Sequence, residues 1–288
     1  MKSARELIDS LRAYQPPNTD LGQHFLIDDQ LLNTMAEIAG VNSNDHVLEI
    51  GPGPGTLTQV LLETGAMVTA IELDDGPVLH LDNVFSEQQT NGMLTLLHGD
   101  ALLEEWPESI TKIVANIPYQ ISSPLIEKIT KFNALNDTSL KSVVLMVQQE
   151  FAQRLTMRHP SDVGSLGMTV ALDWVVEEHH VVAPHSFSPQ PAVHSQVVSL
   201  LPHDKVWPTD KRLIRMMIHH AFAERRKKIR STLKRVPRRI SRLKGWHAQR
   251  WKASISTLLD NDVMDLRPES LQLDDWVDLA VGVEKGSN

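Results

Sequence analysis

Short apolar runs alternate with amphipathic segments along the first two thirds of the chain. Apolar residues at helical spacing predict a helix over residues 28–39, and segments of helical length follow at 56–64 and 124–132. Short runs typical of β-strands lie between and around them, over residues 46–50, 67–72, 94–98, 113–116 and 143–148. Strands that alternate with helices predict an α/β fold in which a parallel sheet carries helices on both faces.

Two later apolar runs, over residues 167–182 and 193–201, are expected to complete this sheet. Residues 202–210 contain two prolines and are predicted to form a linker. Beyond the linker the pattern is helical. Its expected core positions are Leu213, Ile214, Met217, Ile218, Ala221, Phe222, Trp246, Trp251, Ile255, Leu258 and Leu259. We therefore predict a first domain over residues 1–204 and a small all-helical domain over residues 205–288.

Positive charge is concentrated in the predicted helical domain. The chain of 288 residues has a net charge of −8, yet residues 211–252 hold 16 lysines and arginines and one acid, Glu224. This segment therefore carries +15 and the remainder of the chain −23. An acidic body with one strongly basic segment indicates a polyanionic partner on one side. The plainer alternative is a solvated helix face.

The composition excludes several classes of protein. The chain has no cysteine, which rules out disulfides and thiolate metal sites, and we expect no bound metal. No apolar run approaches the roughly 18 residues that a membrane helix needs, so we expect no membrane association. The first residues mix basic and acidic side chains, which fits neither a signal peptide nor a transit peptide. The simplest expectation is a monomeric protein of the cytoplasm.

Glycines and acids stand where predicted strands end. The strand over 46–50 runs into Gly51-Pro-Gly-Pro-Gly55, Glu72 ends the next strand, and Asp100 follows the third. In parallel sheets ligands bind at these carboxyl ends. Glycines admit a ligand close to the backbone, Glu72 can accept hydrogen bonds from ribose hydroxyls, and Asp100 can accept one from an adenine amine. The alternative is that both acids are ordinary turn or capping residues.

The spacing of the glycines bears on which nucleoside is bound. G-x-G-x-G differs from the G-x-G-x-x-G that brings a helix to a dinucleotide pyrophosphate. A nicotinamide-dependent oxidoreductase is therefore disfavoured. A nucleoside cofactor without phosphates, such as S-adenosylmethionine, fits the pattern better.

The fourth strand ends in Asn116-Ile-Pro-Tyr119, a sequence suited to methylation of an amine. The N6 lone pair of adenine is delocalised into the ring, so two acceptors on its N–H groups would draw the nitrogen towards a nucleophilic geometry. The side-chain oxygen of Asn116 and the carbonyl of Pro118 can supply them, and Tyr119 offers a ring on which an extruded base can stack. Read alone, the tetrapeptide fits an ordinary strand-to-loop turn equally well.

Seven motifs, in order, resemble those of the ribosomal RNA adenine N6,N6-dimethyltransferase family. They are Gly22–Leu26, Glu49–Thr58, the acidic strand ends Glu72–Asp74 and Gly99–Ala101, Asn116–Tyr119, Gln149–Leu155, Phe187–Ser195 and Phe222–Lys227. The chain departs from the family in three places. Ile117 replaces a usual leucine, Asn18–Asp20 lacks the usual basic residues, and no aromatic-glycine loop is recognisable over 157–168.

The resemblance implies a class I (Rossmann-like) S-adenosylmethionine-dependent methyltransferase domain followed by a small helical domain. It also implies that Phe187 holds the flipped adenine opposite Tyr119, although Phe187 read alone predicts a core residue. His24 read alone predicts a loop histidine. Taken together, the residues and the resemblance assign the cofactor to Gln23, His24, Leu26, Gly51, Gly53, Gly55, Glu72, Leu73, Asp100, Ala101 and Asn116.

The expected partner is small-subunit ribosomal RNA within the pre-ribosomal small subunit. Arg225, Arg226, Lys227 and Lys228 are the expected phosphate contacts, unless one or two of them only cap a helix. The resemblance implies dimethylation of two adjacent adenines near the 3′ end of that RNA. Three alternatives stay open: an adenine of large-subunit RNA, adenine in DNA, or a mainly non-catalytic role in small-subunit assembly.

Overall fold

Residues 2–17, 22–135 and 140–286 are described by a computed structural model of the chain. Contacts divide it into two units. The first comprises Met1–Ala152 and Val175–Pro202, and the second comprises Gln153–Trp174 and His203–Asn288. The predicted domain division after residue 204 lies close to the end of the first unit, but it did not anticipate that residues 153–174 group with the C-terminal helices.

The first unit is built on a sheet with the strand order β4-β3-β2-β5-β6-β9-β7. The strands are β1 Phe25–Leu26, β2 His46–Ile50, β3 Met67–Glu72, β4 Leu94–His98, β5 Lys112–Asn116, β6 Ser142–Gln148, β7 Trp174–Val182, β8 Phe187–Ser188 and β9 Ser195–Pro202. Strands β2 to β6 pair in parallel, β9 runs antiparallel to β6, and β1 and β8 form a separate antiparallel ladder. The chain passes from β2 outward to β4 and then returns to β5 on the other side of β2. Such a topological switch point leaves a crevice at the carboxyl ends of the strands.

Helices cover the central strands of the sheet on both faces. Those of the first unit are α1 Ala4–Arg12, α2 Asp29–Ala39, α3 Thr56–Glu63, α4 Asp75–Val84, α5 Ser86–Thr90 and α6 Ser122–Leu135, while α7 Gln149–Thr156 spans the division between the units. Four consecutive residues of β2, from Val47 to Ile50, are buried, as expected of a strand covered on both sides. The predicted helix over 28–39 is confirmed as α2, where the Asp28 side chain accepts a hydrogen bond from the Leu31 N–H.

A buried ionic cluster ties the amino ends of three parallel strands together. Asp45, just before β2, is fully buried and lies 2.8 Å from the Lys112 Nζ of β5 and 3.1 Å from the Lys141 Nζ before β6. Burial alone would raise the pKa of Asp45, but hydrogen bonds from both lysines, the Thr111 hydroxyl and the Asn42 N–H lower it to about 2. The cluster leaves the carboxyl ends of the same strands free for a ligand.

The second unit is helical, and buried tryptophans form much of its core. Its helices are α8 Ser165–Val170, α9 Lys211–Phe222, α10 Ile229–Leu233, α11 Ala248–Ser256 and α12 Leu273–Lys285. Short 3-10 helices in the chain span Tyr119–Ile121, Pro160–Asp162, Pro184–Ser186, Ile240–Arg242, Asp262–Asp265 and Pro268–Ser270. The predicted apolar face of α9 packs with Trp246, Trp251 and Trp276 in one cluster. The Trp251 indole N–H donates to the Leu233 carbonyl at 2.8 Å, so its polar atom is satisfied within that core.

The runs over 167–182 and 193–201 both contribute a strand to the sheet, as predicted, but only part of the first run is strand. Its first part is helix α8, and only Trp174–Val182 forms strand β7. Met168 and Leu172 enter the core beside Leu213, and Lys211 lies 2.7 Å from the buried Asp173 carboxylate. An apolar run without a clear period fits a buried helix as well as a strand.

Among the described residues, no helix is both long enough and apolar enough to cross a membrane.

Candidate active site

A cavity of about 310 Å3 opens at the switch point of the first unit. Its walls come from the loops after β2, β3, β4 and β5, together with the segment around β1. Of the predicted site residues it is lined by Gln23, His24, Leu26, Gly51, Gly53, Glu72, Leu73, Asp100, Ala101, Asn116, Pro118 and Tyr119. Separate sequence motifs therefore form one site of the size that small-molecule ligands use.

The glycine loop after β2 has a backbone that other residues would strain. Gly53 and Gly55 have φ values of +54° and +83°. A Cβ on Gly53 would lie 2.9 Å from the Phe25 ring, and one on Gly55 would lie 2.4 Å from the Phe85 ring. Gly55 caps the start of α3 and is not among the residues that line the described cavity. Its role is therefore to let the loop turn, while Gly51 and Gly53 face the cavity.

Glu72 is fixed by three backbone N–H groups. Oε2 accepts from Gly53 at 3.0 Å, and Oε1 accepts from Leu73 at 2.9 Å and from Asp74 at 3.0 Å. The residue is only 6 % exposed, and burial raises its pKa, an effect that these hydrogen bonds oppose. The carboxylate therefore joins the end of β3 to the glycine loop and keeps its remaining lone pairs for a ligand.

Asp100 begins a tight turn after β4. Its Oδ1 accepts from the Leu102 N–H at 2.8 Å, so one carboxylate oxygen has a capping role while the residue also lines the cavity. The next residue, Ala101, accepts the indole N–H of Trp106 at 3.1 Å through its carbonyl. These two hydrogen bonds stabilise the turn. Asp100 can therefore cap the turn and still accept a hydrogen bond from a ligand.

The segment around β1 closes one side of the cavity. The Gln23 Nε2 donates to Asp74 at 2.8 Å, and His24 is held at Nδ1, 2.9 Å from the Pro189 carbonyl. Because a carbonyl only accepts, His24 carries its proton on Nδ1. Leu26 is buried and contributes an apolar wall. The stretch Asn18–Asp20, where the family's basic residues are missing, lies outside the described residues.

The Asn116-Ile-Pro-Tyr119 tetrapeptide enters the same cavity from the end of β5. The Asn116 Nδ2 donates to the His24 carbonyl at 3.0 Å, which fixes the amide so that its oxygen is the group left for a ligand. The Pro118 carbonyl accepts from the Ile121 N–H at 3.2 Å and retains a second lone pair. The Tyr119 ring lies 5.8 Å from the His24 ring, with 25° between their planes.

Glu49 is a cavity residue that was not singled out in the sequence. It lies in β2, is almost fully buried, and accepts the Thr58 hydroxyl at 2.6 Å. Burial raises its pKa to about 8, with the nearby Glu72 contributing. An acid inside a buried strand, two residues before a glycine loop, was the signal in the sequence. Buried acids seldom persist without a partner or a function.

Phe187 is buried rather than at the cavity surface. It is 2 % exposed, pairs with Leu26 across the β1–β8 ladder, and belongs to the core cluster of the first unit. Phe187 is not among the described residues that line the cavity. This is the position that the residue read alone predicts. Its expected contact with a flipped adenine stays a prediction.

The four expected phosphate contacts lie in the second unit, where they are exposed, and three of them have acidic partners. Arg225 Nε lies 3.0 Å from Glu269, Lys227 Nζ lies 2.5 Å from Glu224, and Lys228 Nζ lies 3.0 Å from Asp265. Arg226 is exposed as well. Exposed ion pairs are worth little, so phosphates could exchange with these carboxylates. Binding of RNA by these residues stays a prediction.

The cavity residues fit S-adenosylmethionine. Glu72 and Asp100 are acceptors, as ribose hydroxyls and an adenine amine require, and Gly53, which has no Cβ, also lines the cavity. Glu49 is a buried acid facing the same space, and it suits a cationic group of the ligand. Phosphate-binding basic side chains are absent from the lining of the cavity as far as the chain is described.

Known proteins with similar sequences point to the same chemistry. A family model described as ribosomal RNA adenine dimethylase matches residues 15–250. A probable ribosomal RNA small subunit methyltransferase A from Methanospirillum hungatei is 34% identical over 273 residues, covering 94% of this chain and 98% of that protein. A ribosomal RNA small subunit methyltransferase A from Synechocystis is 32% identical, and the match covers 91% of this chain and 95% of that protein.

Solved structures with a similar fold include RNA methyltransferases. A dimethyladenosine transferase from Plasmodium falciparum superposes with a TM-score of 0.76 at 27% identity, covering 91% of this chain and 98% of that one. The 23S rRNA methyltransferase ErmE, at 23% identity and a TM-score of 0.61, shares the fold. The predicted class I fold with a helical C-terminal region, the enzyme class and the cofactor S-adenosylmethionine are confirmed. The chain belongs to the ribosomal RNA adenine dimethylase family of S-adenosylmethionine-dependent methyltransferases.

Proposed function

We propose that this enzyme dimethylates N6 of two adjacent adenines near the 3′ end of small-subunit ribosomal RNA. The observation that carries the proposal is that Asn116 and Pro118, acceptors for an adenine amine, share one cavity with the nucleoside acceptors Glu72 and Asp100. The names of the relatives from Methanospirillum and Synechocystis support the small subunit as the source of the RNA.

Glu72, Asp100 and the glycine loop hold the cofactor in this proposal. Glu72 accepts from the ribose, Asp100 accepts from the adenine amine, and Gly51 and Gly53 allow close approach. S-adenosylmethionine supplies a methyl group that its sulfonium already activates. Glu49 lies in the same cavity with a raised pKa, so a cationic part of the ligand favours its ionised form.

Asn116 and Pro118 act on the target amine. Because the Asn116 Nδ2 is occupied by the His24 carbonyl, its Oδ1 is available to accept one N–H of the adenine N6. The Pro118 carbonyl accepts the other N–H. Two acceptors withdraw the nitrogen lone pair from the ring and direct it towards the methyl donor. Because acceptors of this kind are already in position, they cost little reorganisation during the reaction.

The helical unit supplies most of the positive charge for RNA binding. Residues 211–252 carry +15, and phosphate contacts from this segment would position the RNA without selecting the base. One copy of the chain supplies the glycine loop, both acids and the tetrapeptide, so we propose that a monomer acts on the pre-ribosomal small subunit.

Replacing Glu72 with alanine should abolish methylation while leaving RNA binding intact. The variant loses the charged acceptor for the ribose and the anchor of the Gly53 N–H, so calorimetry should show cofactor affinity falling about 100-fold. RNA affinity, measured by filter binding, should stay within about twofold because the phosphates are held elsewhere. Glu63→Ala, an exposed acid at the end of α3, is the matched control. Retained methylation in Glu72→Ala would remove the assigned cofactor role.

Replacing Asn116 with alanine tests the chemistry on the target amine. The variant loses one acceptor for N6, so kcat should fall about 100-fold or more, the usual effect of removing one transition-state hydrogen bond. Single-turnover kinetics with saturating RNA and cofactor would measure this fall. Asn83→Ala, on the exposed face of α4, should leave kcat unchanged. A fall in RNA affinity with unchanged kcat would contradict the assignment of Asn116.

Replacing Arg225, Arg226 and Lys227 with alanine tests the expected phosphate contacts. RNA affinity should weaken, and the slope of log affinity against log salt should become shallower by about 0.7–0.9 for each lost phosphate contact. Replacing Lys2, Arg5 and Lys131 removes the same charge from the first unit and serves as the control. An unchanged salt slope in the first variant would mean that other residues hold the phosphates.

A further inference from the structure

The Tyr119 side chain contacts a strand that is not adjacent to β5, the strand that precedes Tyr119 in the chain. Its hydroxyl lies 2.6 Å from the hydroxyl of Ser195, the first residue of β9. Strand β6 separates β5 from β9, and Ser195 lies opposite Gln148 at the end of β6. The Ser195 side chain is fully buried, whereas Tyr119 is half-buried and lines the cavity. A buried residue of the sheet, Ser195, thus contacts Tyr119, the residue on whose ring the target base is expected to stack.

Pro189, which precedes Ser195 by six residues, holds the histidine that faces the Tyr119 ring. The carbonyl of Pro189 accepts the Nδ1 proton of His24 at 2.9 Å, and the His24 ring stacks on Tyr119. Pro189 and Ser195 both belong to the Phe187–Ser195 motif, in which the sequence alone assigns no role to the serine. Each ring at this side of the cavity is therefore held by one residue of that motif.

We propose that Ser195 is a positioning residue for methyl transfer, whose hydroxyl holds the Tyr119 ring at the place where the target adenine stacks. The proposal rests on the proposed function, because it assigns Tyr119 to the flipped base. Ser195 itself touches no reacting atom. Its effect is on how long the base stays in line with the Asn116 and Pro118 acceptors.

The surroundings of the phenol favour a persistent hydrogen bond. Burial raises the pKa of the Tyr119 hydroxyl, and the Ser195 hydroxyl opposes that rise. The phenol is therefore neutral at physiological pH and can donate to, or accept from, Ser195. With its hydroxyl held in this way, the side chain cannot swing freely about χ1 before the base arrives, which lowers the entropic cost of ordering it on binding.

A double-mutant cycle tests the proposal kinetically. Ser195→Ala and Tyr119→Phe remove the same hydrogen bond from opposite ends, and Tyr119→Phe keeps the stacking ring. Each single variant and the double variant should lower kcat about fivefold, the usual worth of one neutral hydrogen bond, with cofactor KM within about twofold of wild type. The single losses should not multiply, because only one interaction is removed.

Ser199 provides a matched control on the same strand. It is buried, and its hydroxyl lies 2.8 Å from the His179 Nε2, away from the cavity. Ser199→Ala should cost similar thermal stability and leave kcat unchanged. If Ser195→Ala behaves like Ser199→Ala, or if the losses from Ser195→Ala and Tyr119→Phe multiply to about 25-fold, the proposal is wrong.

Fluorine NMR gives a readout that does not depend on turnover. The chain has two tyrosines, Tyr14 and Tyr119, so 3-fluorotyrosine in a Tyr14→Phe background reports on Tyr119 alone. Ser195→Ala should shift this resonance and raise the pKa of the phenol, whereas Ser199→Ala should do neither. An unmoved resonance in an active enzyme would overturn the Ser195 contact. A wild-type chain that methylates no adenine would instead overturn the proposed function.

Discussion

The parallel pairing of β2 with β3 on one side and β5 on the other is the constraint on which the site depends. It brings the glycine loop, Glu72 and the tetrapeptide to one edge of the sheet, although they are separated by tens of residues in the chain. The Asp45 cluster ties the opposite ends of β2, β5 and β6, so the register is fixed away from the ligand. The hydrogen bond from the Gly53 N–H to Glu72 then joins the ends of β2 and β3 directly, and both residues line the cavity.

The chemistry of the site follows from what these strand ends present. Acceptors dominate: carboxylates, which we propose bind the cofactor, and an amide oxygen with a proline carbonyl, which we propose bind the target amine. No strongly basic group is needed, since the nucleophile is a weakly basic amine that has to be reshaped rather than deprotonated first. Each acceptor is held by a neighbour, as Asn116 is by the His24 carbonyl. In the proposed reaction, catalysis therefore depends on preorganised acceptors.

The sequence predicted most of the elements that build the site and less of what surrounds it. Strands β2, β3 and β4 begin and end where their alternation of apolar and turn residues predicts. The run over 167–182 joins the sheet as predicted, but its helical first part was not predicted, because an apolar stretch without a period does not distinguish helix from strand. The pairing of Arg225 and Lys228 with Glu269 and Asp265 was invisible, since those acids are far along the chain. The Ser195 hydroxyl could not be assigned to Tyr119, because sequence spacing does not reveal a contact across an intervening strand.

The central claim is that the enzyme modifies adenine N6 in small-subunit RNA, and the most direct test is a tritiated methyl transfer assay. Unmethylated small ribosomal subunits, large subunits and duplex DNA would be offered in parallel, and the labelled nucleosides separated. The account predicts N6,N6-dimethyladenosine from small subunits alone. Label in large-subunit RNA or in DNA, or no label in any substrate while the cofactor still binds, would contradict it.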